Sequence, residues 1–104
     1  MTQENWNNLT LFEQLSNIDG DVERLIRCHE KYLDGKSDTD NGWFYLENIK
    51  KMIKMILLDN KNINRGYIGV ELFDEADELK EYLNGNCSAE YIRSYWNAYT
   101  NALS

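Results

Sequence analysis

A chain of 104 residues has the size of one domain, and 42% hydrophobic with 28% charged residues is an ordinary globular composition. It excludes collagen-like, disordered and membrane classes and leaves room for a modest apolar core. The formal net charge of −7 opposes direct nucleic-acid binding, which depends on Lys and Arg displacing the counterions condensed on phosphates.

The stretch from Met1 to Asn8 is polar and lacks the charged-then-apolar layout of a signal peptide. With no apolar run near the roughly 18 residues of a membrane span, a cytoplasmic location without membrane contact is expected. The first predicted helix covers 11–33: Leu11, Leu15, Ile18, Val22, Leu25, His29 and Tyr32 recur at alternating steps of four and three, and Phe12, Ile26 and Leu33 widen the stripe. Thr10, followed three residues later by Glu13, has the spacing of a reciprocal N-terminal cap, and Asp34-Gly35 ends the helix. Gly20 lies inside the pattern, so a local irregularity is expected at Asp19-Gly20-Asp21.

The polar loop 35–42 offers its acids and Asn41 as caps for a second helix over 43–58, whose buried stripe is Leu46, Ile49, Met52, Ile53 and Ile56. Asp59 to Arg65 reads as a connection. A third helix over 68–83 turns Leu72, Ala76, Leu79 and Leu83 inward and its acids outward, and Asn84-Gly85 stops it. Ser88 caps a fourth helix over 89–103, with Ile92, Trp96, Tyr99 and Leu103 inside. Proline is absent and no strand-like alternation competes. The expected fold is all-α: one antiparallel four-helix bundle, because short connections favour antiparallel neighbours.

The opening Trp6-Asn7-Asn8-Leu9-Thr10-Leu11-Phe12-Glu13-Gln14-Leu15-Ser16-Asn17-Ile18, continued by Val22-Glu23-Arg24, resembles a group of short helical proteins of bacteria and archaea. In that group a W-x-N-L-[ST]-L-x-E-Q-L-x-N-I-x-x-x-V-x-R run leads into three further helices. The group has no established activity, so the resemblance implies architecture and carries over no catalytic residue. Asn17 and Arg24 stand two helical turns apart, near one edge of the first helix, where a neighbouring helix end or a partner would meet them.

The patterns that bear chemistry are few. Arg24 and the sole histidine, His29, have the loose R-x4-6-H spacing of HEPN ribonucleases, which are also small helical bundles. Five helical steps rotate a side chain by about 140°, so the two converge on one phosphate only between copies in a dimer. On the apolar stripe, His29 equally reads as a hydrogen-bonded core residue. Cys28 beside it points about 100° away and makes no nucleophile–base pair. Cys28 and Cys87 lack C-x-x-C spacing and are expected as reduced thiols.

Charge is segregated along the chain. Glu71, Asp74, Glu75, Asp77, Glu78 and Glu81 follow a stretch made basic by Lys50, Lys51, Lys54, Lys61 and Arg65, and the two segments are placed to pair. Asp74, Glu75 and Glu78 share one helical face and resemble half of the magnesium site of all-α nucleotide pyrophosphohydrolases, without the second carboxylate set those enzymes bring from a neighbouring helix. The same residues equally form a solvated face. The sequence contains no E-x-x-H di-iron pattern, no calcium loop at Asp34 to Gly42 and no glycine-rich phosphate loop. No cofactor is expected.

Tyr91, Tyr95 and Tyr99 recur at four-residue spacing about 100° round from Ile92 and Trp96. This apolar and aromatic arc is wider than one core face requires, and tyrosine is favoured at interfaces for its apolar body and polar tip. The leading expectation is a non-enzymatic protein-binding or regulatory module, inhibitor-like or antitoxin-like. It acts through acidic Glu71, Asp74, Glu75 and Glu78 and the tyrosine row, on a protein partner or as a homodimer. The alternative is a HEPN-like ribonuclease or a metal-dependent nucleotide-handling enzyme.

Overall fold

The computed structural model describes the backbone of residues 1–103 and their side chains apart from those at 64–67, 69 and 98–103. Its regular structure is helical, with no strand among the described residues: α1 (Gln3–Asn7), α2 (Leu11–Leu33), α3 (Gly42–Leu57), a 3₁₀ helix (Asn60–Arg65), α4 (Gly66–Leu83) and α5 (Ala89–Leu103). A helix of 23 residues spans about 34 Å, so α2 accounts for most of the long dimension of a molecule measuring 43 × 25 × 19 Å.

The sequence signals at the ends of α2 act as expected. Glu13 N–H donates to Thr10 Oγ1 at 3.1 Å while Thr10 N–H donates to Glu13 Oε1 at 3.0 Å, closing the reciprocal cap. At the other end Gly35 takes φ 74°, as Gly85 takes φ 84° after α4. That left-handed conformation lets Lys36 N–H reach Lys31 O and Asn86 N–H reach Glu81 O, both at 2.9 Å. The irregularity expected at Gly20 does not occur, and α2 runs through it unbroken. Buried apolar contacts on either side at Ile18 and Val22 hold the helix there against the modest cost of glycine.

Asn41 makes no capping bond at the start of α3; Asp40 Oδ1 instead accepts from Gly42 N–H at 3.0 Å. Gly42 is where α2, α3 and α4 meet: a Cβ there would lie 2.8 Å from Leu83 Cδ2 and 3.2 Å from the Leu25 carbonyl. Ser88 caps α5 as expected, its Oγ accepting from Tyr91 N–H at 3.1 Å.

Packing follows chain order and then closes: α2 lies on α3, α3 on α4, α4 on α5, and α5 returns to α2. One core runs through them, with Leu15, Ile18, Leu25, Leu46, Ile49, Ile53, Leu72, Leu79, Ile92 and Trp96 among its fully buried members. Met52 is only partly buried against it, and Phe12, Tyr32 and Leu33 of the expected α2 stripe are exposed, the first on its margin and the other two in the last turn of the helix. The side chains of Tyr99 and Leu103, expected inside, lie outside the described residues.

Two elements depart from the sequence reading. The polar N-terminus contains α1, which rests on α3 through buried Trp6, and Gln3 Nε2 donates to Met55 O at 2.9 Å. The expected connection from Asp59 is a 3₁₀ helix anchored by a buried polar cluster. Gln14 Nε2 donates to Trp6 O at 2.9 Å and to Asp59 Oδ2 at 2.8 Å, and Asn62 Nδ2 donates to Gln14 Oε1 and Ile56 O, each at 3.2 Å. No helix among the described residues is long and apolar enough to cross a membrane.

Candidate functional site

On α4, Ile68, Leu72, Ala76, Leu79 and Leu83 are buried. Glu71, Asp74, Glu75 and Glu78 follow i, i+3, i+4, i+7 spacing and form a second stripe about one helical step from the first. On α5, Ile92 and Trp96 are buried, which puts Tyr95 on the flank beside α4. The two flanks enclose a cleft of ≈ 300 Å³ lined by Glu71, Asp74, Glu75, Glu78 and Tyr95. The acidic row and Tyr95 of the tyrosine row thus share one concavity.

Its rim and floor differ. Glu71, Asp74 and Tyr95 are exposed, Glu78 is half-buried, and Glu75 retains only 4% of its exposure. Glu75 Oε2 is sealed from water and has no hydrogen-bond partner. Burial first, and then the charge of Glu71, push the Glu75 carboxyl up to about 8. This corrects the expectation that the acids of this helix all face outward: Glu75, on the inner edge of the stripe, is buried. A carboxyl oxygen left unsatisfied in the interior costs stability.

Tyr91 extends the α5 wall, its ring 5.8 Å from that of Tyr95 between centroids. The Glu78 charge raises its hydroxyl pKa, with burial adding to the effect. Beyond the cleft, Cys87 Sγ lies 3.7 Å from Glu78 O. Burial and then Glu78 and Glu81 push that thiol up, so it is a poor nucleophile at neutral pH. Both cysteines are free thiols.

The other expected site residues lie elsewhere. Arg24 is exposed and donates to Asp21 at 2.8 Å. His29 is buried, with Nδ1 2.6 Å from Asp40 Oδ2 and its ring edge-on to Tyr82 at 4.8 Å. Burial and then the Glu30 charge push Tyr82 up to about 12. One copy of the chain therefore does not bring Arg24 and His29 together, and His29 joins the end of α2 to the turn that caps α3. Asn17 Nδ2 donates back to Glu13 O at 2.9 Å.

Of the basic segment expected to pair with the acidic stripe, Lys50 pairs instead with Glu47 and Lys61 with Asp59, and the Arg65 side chain lies outside the described residues. The sequence reading missed Arg93, which reaches from α5 to Glu23 (Nε–Oε1 3.1 Å) and Glu30 (Nη2–Oε1 3.8 Å) on α2. An i, i+7 acidic pair opposite a lone arginine was its only signal. Among the described residues no group of three His, Cys, Asp or Glu side chains stands close enough to hold a metal ion. The side chain of Tyr99 lies outside the described residues. Compared with protein-family models, curated proteins and solved structures, the chain matches none of them.

Proposed function

We propose that this chain is a non-enzymatic binding module, inhibitor-like or antitoxin-like, that grips a basic protein surface in the cleft between α4 and α5. The observation that carries this reading is Glu75: a buried, unpartnered carboxyl at the floor of a cleft whose rim is acidic and aromatic. An acidic cleft steers a basic partner inward and repels other acidic surfaces. Exposed Tyr91 and Tyr95 beside it supply the apolar contact that charge alone lacks. The closed order of packing and the short connections support an antiparallel four-helix bundle as the frame. We place the module in the cytoplasm.

The test is affinity capture from the source cell with the unmodified chain and with the double variant Glu71→Lys, Asp74→Lys, both exposed positions. Partners are identified by mass spectrometry and then rebuilt from purified components. A partner with a basic surface, bound more weakly at high salt and lost with the double variant, is expected. Binding indifferent to both changes would overturn the reading. So would RNA or nucleoside triphosphate cleavage by the purified protein that is abolished by His29→Gln or Glu75→Gln.

The exposed Tyr91–Tyr95 pair also supports self-association through α5. A row used symmetrically about a two-fold axis covers itself in both subunits.

A further inference from the structure

We infer that the cleft between α4 and α5 is built for the guanidinium group of a peptide-bound arginine, with Glu75 and its acidic neighbours accepting the N–H groups and the Tyr95 ring lying against the guanidinium plane. This deepens the protein-binding reading above and rests on it.

Four carboxyl groups and a tyrosine line the space, with no cationic side chain in the lining among the described residues, so the occupant carries positive charge. Three kinds of cation compete for such a site. A bare divalent ion needs several oxygens converging at about 2.0–2.6 Å, and no described trio of carboxyl groups converges that closely. A space of ≈ 300 Å³ is also far larger than one ion or the roughly 30 Å³ of a water molecule. A lysine ammonium fits the charge, but it is a compact and strongly hydrated point that gains little from an aromatic wall and loses much on reaching a sealed carboxyl.

Guanidinium answers each feature of the cleft. It is planar and stacks on aromatic faces, and half-exposed Tyr95 offers one. Its fork of N–H donors suits paired carboxylate oxygens, and its weak hydration lowers the cost of descending to Glu75. Burial and Glu71 keep the empty Glu75 largely protonated, and an arriving fixed positive charge lets it ionise.

The lining also separates a protein's arginine from the free amino acid. Free arginine brings an α-ammonium and an α-carboxylate, both strongly hydrated, and the carboxylate would meet Glu71, Asp74 and Glu78. Within a polypeptide both charges are absent, and the open, acidic rim receives a side chain projecting from a partner's surface.

The test is a titration of the isotope-labelled full chain, followed through its backbone amide resonances. N-acetylarginine amide should give saturable shifts centred on Glu75 in α4 and Tyr95 in α5, with an affinity on the order of millimolar for so small a ligand. N-acetyllysine amide and free L-arginine should bind several-fold more weakly. Glu75→Gln should weaken N-acetylarginine amide by about tenfold or more while the spectrum stays folded. Glu71→Gln, at an exposed position, should weaken it less and guards against a folding artefact.

Absence of saturable shifts, equal response to the lysine amide, or shifts at these amides with magnesium but not with the arginine amide would each overturn the assignment. A partner captured in a Glu71- and Asp74-dependent way, with no response to the arginine amide, would remove the guanidinium and leave the binding module. Binding of the arginine amide with no such partner would do the reverse.

Discussion

Glu75 and Asp59 are both carboxyl groups withdrawn from water, and their neighbours drive them in opposite directions. Burial raises Asp59, but hydrogen bonds from Lys61 and Gln14 and the Lys61 charge together hold it below the ordinary value of 3.8. Glu75 has no such donors and rises to about 8. A carboxyl with a raised pKa holds its proton more tightly in the folded chain, so stability declines as pH climbs from the ordinary value of 4.5 to about 8 and levels off above. A carboxyl with a lowered pKa contributes stability that is present above its unfolded value and is lost as pH falls through its folded one.

Urea unfolding across pH should therefore show Glu75→Gln flattening the alkaline decline and stabilising the protein at pH 8 by roughly 1 kcal/mol or more. If this variant loses stability at pH 8 instead, Glu75 is ionised and satisfied in the native state. Gaining stability while losing the ligand would mark Glu75 as a residue kept for binding at a structural cost.

At the scale of single elements, caps and stops are local and carry most of what a linear reading can recover. Thr10 and Glu13 stand three residues apart and close their box without help from other helices, so the start of α2 is legible from the sequence. Thr10→Ala should cost about 1 kcal/mol by removing the side-chain half of that cap, measurable as a lower urea midpoint with unchanged slope. Gly85→Ala should cost about 1–2 kcal/mol, because its φ of 84° is a conformation an L side chain disfavours. An unchanged midpoint there would show that α4 ends in another geometry.

The elements that escaped the reading are those without local periodicity. α1 has five residues and one buried side chain, Trp6, and the 3₁₀ helix is held by Gln14, 48 positions before its partner Asn62. No window of sequence contains either reason.

For the whole molecule, the decisive quantity is the single core to which α1 to α5 all contribute. Ile49 on α3 is fully buried within it, and Ile49→Ala should cost about 2–5 kcal/mol. That is a large part of the 5–15 kcal/mol typical of a domain, so denaturant unfolding should shift sharply while far-ultraviolet circular dichroism of the folded fraction stays helical. Self-association belongs to this scale as well. Light scattering at micromolar and higher concentrations should find the unmodified protein larger than one chain, and Tyr95→Ala should shift it towards the monomer. A monomer throughout would leave the tyrosines to a different partner.

The sequence by itself determined the four longer helices, where the longest of them starts and stops, and most of the residues that each turns to the core, though Phe12, Tyr32 and Leu33 of the α2 stripe are exposed. These outcomes follow from 3.6-residue periodicity and from capping groups only a few residues apart. It also placed four acids on one stripe and spaced three tyrosines four residues apart. What it could not determine was how far each helix rotates against its neighbours. That rotation alone decided that Glu75 is buried while Glu71 and Asp74 are exposed, that His29 is spent on Asp40, and that Tyr95 of α5 shares a cleft with the acidic stripe. Burial and the proximity of residues some twenty positions apart are products of packing between helices, and the physical character of the cleft comes into being only there.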